Sequence, residues 1–159
     1  MLIEIWTKDK YAKNEEKELS ERLSRAGLDV KTAKLSRLYN VDAPWAKTDF
    51  GRLAGGLLAD RITERCSLAR RPGLGGLYRV EVWLKKSATD VIGESVKEAI
   101  HDMLGRAPSG VRFGRAYYLA VRGSRKSARL RGGDPYARKI QAVVAKTLVN
   151  EIVQTFTVE

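Results

Sequence analysis

The side chains able to do covalent or acid–base chemistry are few and scattered. His101 is the sole histidine, and it stands beside Asp102 without a serine or cysteine at a spacing that completes a triad. It reads as a surface or structural residue. Cys66 is the sole cysteine, so no internal disulfide forms and no zinc site of the usual cysteine spacing is available. Gly73-x-Gly75-Gly76 imitates a phosphate loop, but no Lys-Ser or Lys-Thr pair follows it and a strand comes next where a helix is needed. Glu4 and Glu81 occupy matched strand positions and are expected to face solvent or to form an ion pair between two halves of the chain. Catalytic carboxylates more often differ between duplicated halves than recur in both. No catalytic residue, cofactor site or metal site is expected.

Recognition chemistry is better represented. Arg37 and Tyr39 recur as Arg115 and Tyr117, each arginine flanked by apolar strand positions, where it crosses an interface between two halves or faces a partner subunit. A second basic group, Arg122, Arg125, Lys126, Arg129 and Arg131, lies among Gly, Ser and Ala and reads as a loop. It is either a solvated charge run or a docking surface for an acidic patch or a nucleotide phosphate. These nine residues are the candidate partner interface. The net charge of +11 favours anionic partners in general, and +8 of it falls in residues 71–159.

The elements that position these groups come in two sets. Leu2-Ile3-Glu4-Ile5-Trp6-Thr7-Lys8 returns as Arg79-Val80-Glu81-Val82-Trp83-Leu84-Lys85. Ala33 to Tyr39 returns as Val111 to Tyr117, and Leu58 to Glu64 as Leu148 to Gln154, in the same order. Three blocks in register indicate a tandem duplication, with units at residues 1–69 and 77–159 joined by a glycine- and proline-rich linker at 70–76.

Each unit reads β-α-β-α-β. In the first, the expected order is a strand at Leu2–Thr7, a polar exit at Lys8–Asn14, a helix over Glu15–Ala26 and a strand over Ala33–Val41. A helix capped by Thr48 or Asp49 and bearing Leu53, Leu57 and Leu58 follows, and a strand at Ile62–Leu68 closes the unit. The second has strands at Leu77–Leu84, Gly110–Val121 and Glu151–Val158. Between them lie a helix capped by Thr89 or Asp90, with Gly105 past its end, and one opened by Asp134-Pro135. The fold class is α+β, with antiparallel-type sheets and the helices packed on one face. A three-stranded sheet so covered leaves an edge open, and a tethered copy is a ready partner for it. Cys66 matches Phe156 and reads as core. Trp6 and Trp83, also matched, are expected to pack on the sheet or between the halves.

Each half resembles the PurS family, the small subunit of phosphoribosylformylglycinamidine synthase. The likeness is carried by Tyr78 to Lys85, Val111 to Arg115 and Leu148 to Gln154. Members of that family are usually single units that associate as dimers and tetramers, so this chain resembles a covalent PurS dimer, an intramolecular pseudo-dimer. It is also similar to the N-terminal region of the long single-chain synthase, without the catalytic portion. The resemblance implies a non-catalytic role in purine biosynthesis: bridging the large synthase subunit and the glutaminase subunit, with further self-association of two tandem chains open. A cytoplasmic location is expected, because no apolar run approaches the ~20 residues of a membrane span and the N-terminus opens directly into a strand.

Two rival readings stand beside it. A basic nucleic-acid-binding module is disfavoured, since Phe113 and Tyr117 share a strand face with Arg115 between them while Tyr118 points the other way, and RNA-recognition modules need four strands per unit. A metabolite-sensing regulatory domain remains open, with no residue naming its ligand.

Overall fold

The computed structural model describes residues 1–124 and 133–159. Alternation organises it. In β1 (Leu2–Thr7), Ile3 and Ile5 point to one side and Glu4 and Trp6 to the other. The same two-residue period continues through β2 (Val30–Asp42), β4 (Tyr78–Leu84) and β5 (Gly110–Val121). With the short edges β3 (Glu64–Ser67) and β6 (Gln154–Val158), these strands form one antiparallel sheet in the order β3-β1-β2-β5-β4-β6. The expected pair of sheets is therefore a single six-stranded sheet, because β2 and β5 satisfy each other's open edge from Val30 opposite Val121 to Asp42 opposite Gly110.

At the middle of that pairing Arg37 lies opposite Arg115, its own counterpart in the repeated block. The registers on either side mirror each other: Ile5 meets Arg37 as Val82 meets Arg115, and Ile5 meets Cys66 as Val82 meets Phe156. The equivalence of Cys66 and Phe156 thus reappears as strand register.

The four helices of the described residues pack on the face that carries Ile3, Ile5, Val80 and Val82. They are α1 (Asp9–Arg25), α2 (Lys47–Leu53, continued by a π-turn at Ala54–Leu58), α3 (Val91–Leu104) and α4 (Pro135–Thr147). Two cores result. One sets Leu19 and Leu23 of α1 and Ile140, Val143 and Val144 of α4 over Tyr78, Val80 and Leu119. The other sets Phe50 and Leu53 of α2 and Ile100 of α3 over Ile3, Ile5 and Val41. Each core joins the first helix of one repeat to the second helix and strands of the other. Each helix keeps contact with a strand of its own segment, α1 with β2 and α3 with β5, and the first helix of each segment completes its core with the second helix of the other.

Several boundaries differ from expectation. Helix α1 begins at Asp9, and residues 9–14, expected as a polar exit, belong to it. Buried Ala12 extends the Leu19–Leu23 stripe by two turns, and Asp9 suits the positive end of the helix dipole. Helix α2 starts after Ala46, with no side-chain cap from Thr48 or Asp49. The two edge strands begin later than expected for one shared reason. The Asp60 carboxylate accepts from Ile62 N–H at 2.8 Å, and the Asn150 amide oxygen accepts from Ile152 N–H at 3.1 Å. These local side-chain bonds hold a turn in place of strand, leaving Ile62 and Ile152 exposed at matched tips. In the second half, Asp90 caps α3 through Gly93 N–H at 2.8 Å, Gly105 closes it at φ 68°, and Asp134 caps α4 with Pro135 at its first turn.

Candidate partner interface

Arg37 and Arg115 project from the helix-covered face at the boundary between the two cores. Like charges directly opposite on paired strands repel, and the chain resolves this on one side only. The Arg37 guanidinium donates to Glu64 Oε1 at 2.6 Å, to the Tyr39 hydroxyl at 3.3 Å and to the Leu58 carbonyl at 3.4 Å. Glu64 is itself fixed by Asp60 N–H at 2.8 Å. Tyr39 is buried against Phe113, with ring centroids 5.4 Å apart, and its burial raises its pKa. Arg37 is thus committed within the chain.

Arg115 has no such partner. It is exposed and makes no hydrogen bond or ion pair among the described residues, while Tyr117 beside it is buried. At the place of Glu64 stands Gln154, whose Oε1 accepts from Asn150 N–H at 2.8 Å just as Glu64 accepts from Asp60. Glu15, at the boundary above both arginines, has its carboxyl pKa raised by burial and by Glu16, against the pull of Arg37 and Arg115. Arg122 sits at the end of β5, where its Nε donates to Asp29 at 3.1 Å. Arg125, Lys126, Arg129 and Arg131 lie outside the described residues. The structure brings Arg37, Tyr39, Arg115 and Tyr117 together and places Arg122 apart from them.

The opposite, helix-free face holds a polar cluster that strand alternation alone would have sent to solvent. Glu4 is fully buried, and its Oε2 accepts from Arg79 Nη1 at 2.9 Å across the two halves. Glu4 Oε1 accepts from the Tyr118 hydroxyl at 2.6 Å, and Arg79 also donates to Tyr118. Arg79 Nε donates to Glu81 at 2.7 Å, and Trp83 Nε1 donates to the other Glu81 oxygen at 3.1 Å. Burial, then the bond to Glu4, drives the Tyr118 pKa well above its ordinary value. The linker seals this face: Leu74 and Leu77 pack with Leu38, Ala116 and Trp83, and Arg71 lies over the Trp6 ring at 5.1 Å. The pairing of Glu4 and Glu81 as matched residues was the available signal; Arg79 and Tyr118, unmatched between the repeats, carried none.

His101 is exposed on α3, with Nδ1 3.9 Å from Asp102, and Cys66 is half-buried in β3. No group of three or more His, Cys, Asp or Glu side chains among the described residues is arranged to hold a metal ion, and among those residues no helix is long and apolar enough to cross a membrane.

These features define an α+β sheet module whose described polar clusters hold the fold together. Residues 77–159 match the model of the PurS family, described as phosphoribosylformylglycinamidine (FGAM) synthase, and the chain belongs to that family. This links it to FGAM synthase and so to purine biosynthesis. Among solved structures, PurS of B. subtilis in a C2 crystal form is similar at 27% identity, covering 52% of this chain and 95% of that one, with a TM-score of 0.36. No curated protein sequence matches the chain.

Proposed function

We propose that this protein is a non-catalytic subunit of an FGAM synthase complex, a covalently joined pair of PurS-like units (1–69 and 77–159, linked by 70–76) that bridges the synthase and glutaminase subunits in the cytoplasm. The observation that carries the reading is the meeting of the matched blocks at the sheet centre. Arg37 lies opposite Arg115, and residues 77–159 match the PurS model. The pairing of β2 with β5 would then stand where two separate PurS chains associate. The open edges β3 and β6 leave room for two such chains to associate further.

A bridging subunit acts through proximity. Ammonia released by a glutaminase is protonated or lost unless its acceptor lies nearby, so holding two active sites in one particle raises the yield without any chemistry by the bridge. Arg115 and Arg122, both exposed, with the basic residues at 125, 126, 129 and 131, are the proposed contact surface, while Arg37, Tyr39 and Tyr117, held within the fold, support it. No cofactor is needed.

The test mixes the purified chain with a synthase subunit and a glutaminase subunit from the same source. The expected result is a three-component particle by size-exclusion chromatography with light scattering, and FGAM formation from glutamine that depends on the chain while formation from ammonium chloride does not. Glutaminase or ligase activity in the chain alone, or equal rates with glutamine in its absence, would overturn the proposal.

A further inference from the structure

The two arginines at the core boundary share a register and a neighbouring tyrosine, yet only one is neutralised. Arg37 has the Glu64 carboxylate at 2.6 Å. The matching position beside Arg115 is Gln154. An amide nitrogen cannot accept a hydrogen bond, so Asn150 N–H at 2.8 Å fixes the carboxamide with Oε1 toward the Asn150 turn. Its NH2 group is left as a donor. Gln154 and Arg115 line one cavity of about 220 Å3, whose other walls include Val82, Leu84, Ile92 and Leu148. A guanidinium and a carboxamide therefore line one cavity with apolar walls that opens to solvent at the exposed Arg115, and among the described residues no hydrogen-bond acceptor answers Arg115.

We propose that this cavity binds a carboxylate carried on a compact apolar body. The carboxylate would lie between Arg115 and Gln154, supplying the charge that Glu64 supplies to Arg37, and would accept from the guanidinium in charge-assisted bonds and from the Gln154 amide. Its apolar portion would lie against Ile92, Leu84 and Leu148. The volume is below the roughly 300–1,000 Å3 of drug-sized ligand sites, which restricts the body to a few carbons. Glu64 within the same chain is the template for the ligand's charge and Leu58, matched by Leu148, for its apolar surroundings. A free short-chain acid and an acidic residue flanked by aliphatic ones in a partner polypeptide offer the same chemistry. The proposal does not depend on the bridging function.

The test is titration of the 15N-labelled full chain with hexanoate, hexanol and the peptide acetyl-Leu-Asp-Leu-amide, followed by NMR. Saturable shifts are expected at the Gly114 and Tyr117 amides and at the Gln154 side-chain amide with hexanoate. Hexanol should bind about tenfold more weakly or worse, because a hydrogen bond to a charged group contributes on the order of 1.5–3 kcal/mol. Arg115→Gln should weaken hexanoate similarly. Gln154→Glu should do the same by supplying an internal carboxylate to Arg115, and Lys31→Gln, a charge change at the far end of β2, should leave binding unchanged. Tighter binding of the peptide than of hexanoate supports the site with a partner segment as source, and the reverse order supports it with a free acid. Absence of saturable shifts with both carboxylates, equal affinity for hexanol and hexanoate, or full binding by Arg115→Gln in a spectrum that remains folded would overturn it.

Discussion

The two faces of the sheet solve the same problem by different means. On the helix-covered face the two segments answer each other in strand register, apart from the replacement of Glu64 by Gln154, and burial comes from side chains contributed by both to shared cores. On the helix-free face the symmetry is broken. Glu4 is fully buried but its counterpart Glu81 is partly exposed, and Arg79 and Tyr118 complete a cluster that exists once. A single linker cannot be twofold symmetric, so whatever it covers must be asymmetric too. The difference teaches that matched strands account for the shared apolar face, while the linker between the segments closes a further, polar core that exists once.

The comparison can be broken most forcefully at Glu4. Glu4→Ala leaves the buried Arg79 with Glu81 as its one remaining counter-charge and the Tyr118 hydroxyl without its acceptor, and the expected loss is up to about 3–5 kcal/mol in urea unfolding. Replacing both residues by apolar ones, Glu4→Leu with Arg79→Met, is expected to cost less than the single change. A double variant as unstable as Glu4→Ala would show that the face needs the charges themselves.

On the other face, Ile100→Ala should cost about 2–5 kcal/mol, as for other fully buried aliphatic residues. Although Ile100 belongs to α3, its cavity opens beside Phe50 and Leu53, so hydrogen exchange is expected to quicken in β1 and α2. Quickening confined to residues 77–159 would contradict the shared core.

Alkali tests both faces at once. Burial, then the bond to Asp134, pushes the Tyr78 pKa up to about 12, and burial with Glu4 raises that of Tyr118 further. Unfolded tyrosines ionise near 10. Above that pH the unfolded chain gives up protons that the folded chain retains, so these contributions, complete below pH 10, are lost as pH rises through the folded values. Stability is expected to fall from pH 10 upward, and Tyr78→Phe should flatten that fall between pH 10 and 12. An unchanged slope in this variant would remove the helix-covered face from the alkaline response.

The smallest effect is expected at the rim of the linker. Arg70 pairs with Glu159 at 2.5 Å but is largely exposed, and Arg70→Ala should change stability by only about 0.2–1 kcal/mol in the same urea assay. A loss comparable to that of Glu4→Ala would mean the linker's charges, and not its leucines, close the face.

Much of this was legible in the residues. Alternation and β-branching gave β1, β4 and β5 to within a residue, and the Asp134-Pro135 and Asp90 signals marked helix starts correctly. The repeated Arg-x-Tyr block anticipated that Arg37 and Arg115 occupy equivalent places. What was not legible has physical causes. An amphipathic stripe such as Leu19–Leu23 says that a helix faces an apolar surface but not which one, so the pairing of helices across the segments left no trace in either repeat. Strand alternation cannot distinguish a solvent-facing Glu4 from one sealed by a distant linker. The imbalance between Glu64 and Gln154 was visible in the third matched block, but its meaning required the guanidinium contacts.

The most direct measurement of the central claim, that the two segments form one pair through a shared sheet and shared cores, is native-state hydrogen exchange across β1, β2, β4 and β5 with increasing denaturant. The account predicts that the slowest amides of all four strands converge on a single opening free energy equal to that of global unfolding. Opening of residues 1–69 at a free energy distinct from that of 77–159, with the other segment still protected, would contradict it.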